Sequence, residues 1–359
     1  MSRAVPRPDG TADRRVSGAP PGLDLDRLSA YLERERPGLV GGPLTAELIT
    51  GGRSNLTYLV RDGTHEGTRE WVLRRPPLGH VLSTAHDMTR EYRVITALGP
   101  TAVPVPGTVL LCEDPGVLGA PFYLMRRVIG SVFRRPGELA ALGRPRIAAV
   151  ADDLIDTLVV LHAVDPEQAG LADFGRPEGF LERQVRRWWR QLEASRSRDL
   201  AGIDDLHDRL AARLPATAGG VVVHGDYRLD NVIVGEDDRV AAVLDWEMST
   251  LGDPLTDLGL LVVYRRRDAG PEDGPVANAA TVAGFPDADA LVARYQRRSG
   301  RDVSRLGWYV AFAYYKLAVI LEGIHYRFQQ GQTVGSGFDG VGDMVLPLVA
   351  AGRRALDEE

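Results

Sequence analysis

The stretch VVVHGDYRLDNVIVGEDDRVAAVLDW, from Val221 to Trp246, decides how the rest of the chain is read. Val221 to Val223 reads as a short buried strand, with His224, Gly225 and Asp226 following where it stops. Val232 to Val234 and Val240 to Leu244 are β-rich runs separated by Gly235, Glu236, Asp237 and Asp238, the pattern of a hairpin. Such a hairpin brings Asn231, just before its first strand, close to Asp245, just after its second. An amide oxygen and a carboxylate converging there suit a hard cation such as Mg²⁺, which takes oxygen ligands and keeps positions for phosphate oxygens. Asp226 is left to face a hydroxyl.

At 359 residues the chain is long enough for two domains, or for one enzyme of two lobes. Its 44% hydrophobic content supports a core, and a net charge of −6 with a pI near 5.7 gives no basic excess for nucleic acid. Small ligands fit better. Cys112 is the only cysteine, which excludes an intramolecular disulfide and a thiolate zinc cluster and fits a reducing cytosol. No apolar run reaches the roughly 18 to 20 residues that span a bilayer. The arginine-rich start lacks an apolar h-region, so residues 1–22 read as a disordered leader. Lys316 is the single lysine, and all other fixed cations are arginine.

Leu25, Leu28 and Leu32 recur at helical spacing, predicting a first helix from near Leu23 to before Pro37. Leu48 to Val60 reads as strand, Gly-Gly turn, strand, and glycine lets backbone N–H groups approach phosphate. An ordinary hairpin turn reads the same way. Glu70 to Arg74 is a third strand in which Val72 and Arg74 share one face and Arg75 takes the other. Met88, Tyr92, Ile95 and Leu98 mark an amphipathic helix carrying Glu91, and Thr108 to Cys112 and Pro121 to Met125 complete the sheet. Beyond Gly130 the pattern is helical. Ile147, Val150, Leu154, Leu158 and Leu161 form a core stripe, and further helices are expected from Phe180, Ile203, Leu255, Asp289, Ser304 and Met344 onward.

The motifs GGRSNLTY, EWVLRRPP, REYRVITAL, FYLMRRVIG, LHAVDP, HGDYRLDN, LDWEMSTLGDPLTDLG and KLAVILEGIHYRF resemble, in that order, the aminoglycoside phosphotransferase-like superfamily of small-molecule kinases. Within it they look like the branch related to the kinase domain of acyl-CoA dehydrogenase fusion proteins. The resemblance covers nearly the whole chain after the leader. It implies an α+β, protein-kinase-like bilobal fold. The small N-lobe, with its antiparallel sheet and one main helix, would occupy 23–125. A hinge would follow at 126–130, and a larger, mostly helical C-lobe would fill 131–359.

The same resemblance implies ATP and Mg²⁺ as cofactors and assigns roles residue by residue. Asp226 would be the catalytic carboxylate that accepts or orients a substrate hydroxyl, and Asn231 and Asp245 would hold the metal. Gly51, Gly52, Arg53, Ser54 and Asn55 would form the loop above the phosphates. Met125 would back the adenine pocket, with the Arg126 carbonyl and the Val128 N–H hydrogen-bonding adenine. Arg74 stands where the family commonly has a lysine paired to a helix glutamate, here Glu91, seventeen residues on. Arginine keeps the charge and can grip phosphate bidentately, though it is bulkier. In a chain with one lysine it reads as adaptation.

Other residues read more plainly. His224 packs the loop, Asp257 starts a helix and holds the loop backbone, and Asp253 works in a turn ahead of Pro254. Glu247 is near enough to Asp245 to touch metal or substrate. Of Trp188 and Trp189, one is core and the other surface. The expectation is a cytoplasmic kinase that moves the γ-phosphate of ATP to a small-molecule hydroxyl, on a hydroxyacyl-CoA or related metabolite, with neither nucleic acid nor membrane as partner. Two alternatives stand beside it: an aminoglycoside or macrolide phosphotransferase, and a catalytically weak nucleotide-binding module acting through a partner. Protein phosphorylation fits less well, because HGDYRLDN lacks an HRD-type arginine and Asp245 to Asp257 is too short for an activation loop.

Overall fold

A computed structural model describes residues 20–49, 55–64, 67–78, 87–217, 219–266, 278–333 and 337–359. The chain divides into two compact units, Met1–Val81 with Leu111–Leu124, and Leu82–Leu110 with Met125–Glu359. In chain order the first part runs through α1 (Leu25–Glu35), β1 (Leu44–Leu48), β2 (Leu56–Thr64), β3 (Gly67–Arg75), α2 (Met88–Leu98), β4 (Thr108–Cys112), α3 (Pro115–Leu118) and β5 (Phe122–Arg126). The strands form one five-stranded sheet in the order β1-β2-β3-β5-β4.

The first unit is built on that sheet. Asp24 caps α1 by accepting from the Arg27 N–H at 3.0 Å, and Leu28 and Leu32 are fully buried, as their spacing predicts. Antiparallel pairing sets Leu48 opposite Tyr58 and Thr57 opposite Arg74. Along β3 the faces alternate: Trp71, Leu73 and Arg75 are buried, while Val72 and Arg74 are half-buried. Arg75 donates to the carbonyls of Gly22 and Leu118, the latter at 2.9 Å, so this guanidinium is a structural tie. Asp62, also buried, accepts from the Gly41 and Arg69 N–H groups at 2.9 and 3.1 Å.

The second unit continues with α4 (Pro136–Ala140), α5 (Arg144–His162), α6 (Phe180–Ser195), α7 (Ile203–Ala212), β6 (Val221–Val223), β7 (Val232–Val234), β8 (Val240–Val243), β9 (Thr250–Gly252), α8 (Leu255–Arg266), α9 (Ala288–Ser299), α10 (Leu306–Gln329) and α11 (Val345–Asp357). Helix α2 belongs to this unit by its contacts. Its Arg90 lies 3.9 Å over the Phe174 ring and donates to the carbonyls of Phe174 and Ser249, at 2.6 and 3.1 Å. The pairing of β9 with β6 has no sequence signal, since three residues are too few to show a period.

Helix α10 is the centre of this unit. It is buried on all sides through most of its length, as a helix apolar all round must be, and packs against α6, α7, α8 and α11. Its Glu322, fully buried, pairs with Arg198 at 2.9 Å. Where α8 crosses α10, Gly259 leaves no room: a Cβ there would stand 2.8 Å from the Tyr309 backbone. A Gly259→Val variant gains only a few tenths of a kcal/mol in helix propensity. Overpacking against backbone costs about 1–3 kcal/mol and wins. The expected result is a lower urea midpoint with an unchanged m-value.

Candidate active site

The hairpin expected from the sequence forms, with Val232 opposite Val243 and the Leu244 N–H donating to the Asn231 carbonyl at 2.8 Å. Asn231 and Asp245 therefore share one end of it. Both amide hydrogens of Asn231 are turned toward Asp226, reaching its carbonyl at 2.9 Å and its Oδ2 at 3.0 Å. The amide oxygen consequently points elsewhere, and among the described residues no group donates to it. Asp226 Oδ1 likewise accepts no hydrogen bond among the described residues. Asp245 sits at φ 64°, ψ 60°, a left-handed conformation that aspartate tolerates better than most residues. Buried Trp246 clamps the turn after it, donating Nε1–H to the Val243 carbonyl at 3.0 Å and accepting from Ser249 Oγ at 2.6 Å.

The loop before Asp226 is held by α8. The Asp257 carboxylate, fully buried in the first turn, accepts from the N–H groups of His224 at 2.7 Å and Gly225 at 2.8 Å. It also meets His162 Nε2 at 3.2 Å, while His162 Nδ1 lies 2.8 Å from the Tyr295 hydroxyl. Burial pushes the Asp257 carboxyl up, but the hydrogen bonds from His162 and the loop N–H overcome this and hold it below 3.8. His224 has its tautomer fixed by its neighbours: Nδ1 accepts from the Asp226 N–H at 3.2 Å, so Nε2 carries the proton and donates to the Leu244 carbonyl at 2.8 Å. This is the packing role expected of it. Asp253 also does the turn work expected, accepting from the Leu255 N–H at 3.0 Å, and it accepts from the Tyr309 hydroxyl at 2.9 Å.

Arg228 is a cation that sequence reading passed over. It lies 2.6 Å from Asp230 Oδ2, 3.5 Å from Asp226 Oδ2 and 4.9 Å over the Tyr264 ring. Burial favours its neutral form, yet Tyr264, Asp230, Asp226 and Asp245 together raise its pKa. Burial likewise pushes the Asp230 carboxyl up to about 6, against the pull of Arg228.

Of the other expected site residues, Gly51, Gly52, Arg53 and Ser54 lie outside the described residues. Asn55 is buried just before β2, and Arg74 is half-buried on β3 in the same unit. Glu91 is buried on α2, Met125 is buried in β5, Arg126 is exposed with its N–H donating to the Gly107 carbonyl at 2.8 Å, and Val128 is half-buried. Trp188 is buried as expected of one of the pair, whereas Trp189 is half-buried with its ring 4.2 Å from His207 rather than at the open surface.

Asn231 Oδ1 and Asp245 would offer two oxygens to a cation, a set that suits Mg²⁺, which usually takes one or two protein oxygens and completes its shell with water and phosphate. A cavity of about 490 Å³ adjoins this loop through Gly225 and is lined by residues including Phe180, Arg187, Glu247, Leu260, Phe312 and Lys316. Lys316 is the second residue to which sequence reading gave no role in the site. Its being the one lysine in an arginine chain was the available signal.

Residues 45–306 match the sequence profile described as "Phosphotransferase enzyme family", well over half of the chain. The chain belongs to the phosphotransferase enzyme family. It is 33% identical over 341 residues to acyl-CoA dehydrogenase family member 11 of Rattus norvegicus, covering 92% of this chain and 43% of that protein. The chain thus spans less than half the length of this relative. An aminoglycoside phosphotransferase candidate from Ralstonia eutropha superposes with a TM-score of 0.80 at 32% identity, covering 93% of this chain and 98% of that one. A thermostable mutant of an aminoglycoside phosphotransferase, in a ternary complex with AMP-PNP and hygromycin B, gives 0.59 at 17% identity, covering 91% and 97%, and shares the fold. The phosphotransferase fold is α+β and protein-kinase-like, with its antiparallel sheet in one unit and the helices chiefly in the other.

In this phosphotransferase, Asp257→Asn leaves one loop N–H facing an amide NH₂ and breaks the buried pairing with His162. The expected loss is about 3–5 kcal/mol, the cost of removing one partner from a buried pair. The folded carboxyl titrates below its usual 3.8, so its contribution is complete above 3.8 and is lost as pH falls through the lower folded value. Urea midpoints taken from neutral pH downward should therefore show an acid-sensitive limb in the parent that the variant lacks.

Proposed function

We propose that this phosphotransferase moves the γ-phosphate of ATP to a hydroxyl of a small molecule, with Asp226 orienting that hydroxyl and Asn231 and Asp245 holding Mg²⁺. The pairing of Asp226 with Asn231 at 3.0 Å carries the reading. Each residue keeps one oxygen without a protein donor among the described residues, so one carboxylate oxygen is available to a hydroxyl and one amide oxygen to a cation. When bound, Mg²⁺ offsets the charge of the phosphates. The substrate oxygen bonds to the γ-phosphorus as the bond to the β–γ bridging oxygen breaks. ADP leaves, and the hydroxyl proton passes to Asp226. Arg228, 3.5 Å from Oδ2, and the Asn231 N–H, which donates to the same oxygen, hold the Asp226 carboxylate in place for that task.

Such a reaction needs positioning and charge neutralisation more than covalent help. The anchoring of the loop by Asp257 supplies the first. An AMP-PNP complex with the same fold supports a nucleotide donor. The similarity to acyl-CoA dehydrogenase family member 11 supports a hydroxylated acyl compound as acceptor, a hydroxyacyl-CoA among them, ahead of an aminoglycoside or macrolide. The single, buried Cys112 supports a reducing cytoplasm.

Asp226→Asn should lower kcat at least about a hundredfold, the lower end of what a positioned acid or base contributes, while Mg·ATP affinity stays close to the parent's. Full activity, or lost nucleotide binding, would count against the assignment. Asp245→Ala should instead weaken nucleotide binding in a Mg²⁺-dependent way, and an unaltered Mg·ATP titration removes Asp245 from the metal site. Slow Mg²⁺-dependent ATP hydrolysis without acceptor separates a kinase from a binding module that acts through a partner.

A further inference from the structure

We propose that the cavity beside Gly225 is the acceptor site of this reaction and is built for an anionic acceptor, with Lys316 and Arg187 as the two cations that grip its carboxylate or phosphate group. The inference rests on the phosphotransferase reading above and names the acceptor's charge.

Lys316 carries the argument. Its side chain reaches out of central helix α10, is 8% exposed and lines the cavity. An ammonium has three donors and is costly to bury without a counter-charge. Here a single donor is used, on the Gly225 carbonyl at 2.5 Å, and the other contact is the face of Trp188 at 5.5 Å. Arg187 lies over the same indole at 5.6 Å and also lines the cavity. Among the described residues neither cation has a carboxylate within ion-pairing distance. Burial, and then the charge of Arg187, press the Lys316 ammonium toward its neutral form, opposed by Asp226 and Asp257.

Asp257 is spent on the loop backbone and His162, and Asp87 at the cavity edge caps α2 through the Arg90 N–H at 2.9 Å. Asp226 uses one oxygen on Asn231 and keeps the other for the acceptor hydroxyl, and Glu247, also in the lining, makes no ion pair with either cation. Two cations share one aromatic ring with no ion-paired carboxylate among the described residues, so an anion brought by the ligand completes the site. Phe180, Leu260 and Phe312 offer an apolar wall beside them, and about 490 Å³ suits a small metabolite with a hydrocarbon body. A polycationic antibiotic would meet like charge in the same place. The anion has two possible sources, the carboxylate of a free hydroxy acid or a phosphate of its CoA thioester.

The full chain with Mg·ATP would be assayed for ADP release against hydroxybutyrate to hydroxyhexanoate, their methyl esters, their CoA thioesters and hygromycin B. Anionic acceptors should exceed the neutral esters and hygromycin B in kcat/KM by about a hundredfold, the scale of hydrogen bonds to charged groups. A preference for free acids identifies a carboxylate in the grip, and a preference for thioesters identifies a phosphate. Arg187→Gln changes an exposed side chain and keeps the fold. It should raise KM for the anionic acceptor about tenfold while leaving KM for the methyl ester in place. Lys316→Met should remove the discrimination. Equal use of acids and esters, preference for hygromycin B, or an Arg187→Gln effect as large on esters overturns the anion site while leaving the kinase reading intact. Absence of ADP release with every acceptor overturns the kinase reading. The site is then decided by calorimetric titration of hydroxybutyrate and its methyl ester into the chain loaded with Mg·AMP-PNP. Preferential binding of the acid sustains it, and equal or no binding overturns it.

Discussion

A buried carboxylate with no access to water, Asp257, is the constraint on which the candidate site depends. It is tolerated because loop N–H groups of His224 and Gly225 and the imidazole of His162 together satisfy it. The same bonds fix the backbone two residues before Asp226. Helix α8 thereby becomes a rigid support for a loop that has no regular structure of its own. Tyr295 behind His162 extends the support to α9, so three helices converge on one turn of chain.

From that anchor the loop's remaining polar groups fall into place with few degrees of freedom. His224 bridges outward to Leu244, linking the loop to the end of the hairpin. Asn231 bridges back to Asp226, and Asp245 is held in a left-handed turn by the buried Trp246. The chemistry suggested for these residues needs oxygen atoms free of protein donors, and among the described residues the arrangement leaves such atoms on Asp226 and Asn231. Lys316 ties central helix α10 to the same loop at the Gly225 carbonyl. The side chains around the cavity are thus set by the packing of helices, while those of the hairpin are set by local pairing.

Much of this was legible from residue order. The first helix, the sheet strands, the hairpin and the long helices follow periods of two or of three to four over enough residues to be recognised. α3, α4 and β9 were not: α3 and α4 are too short to complete a helical stripe, and β9, Thr250–Gly252, lacks the valine runs that marked β6 and β7. The hairpin spacing brought Asn231 and Asp245 together on paper because a two-stranded turn is a local device. Arg228, with its carboxylate neighbours and Tyr264, was passed over because Tyr264 comes from a distant helix. Lys316 was noted only as the single lysine, since nothing in the periodicity of a helix apolar on every side says which residue reaches a cavity.

The sequence by itself determined the succession of sheet strands and then helices, and the hairpin with Asn231 and Asp245 at one end, because both rest on local periodicity and on residues close together in the chain. It also located Asp257 as a helix start. Only the tertiary structure decided that the Asp257 carboxylate turns back onto the His224 and Gly225 N–H groups, and that Lys316 and Arg187 both lie against the Trp188 ring without an ion-paired carboxylate among the described residues. Those are contacts between segments tens of residues apart or more, and their geometry is set by how helices pack and what their burial leaves unpaired.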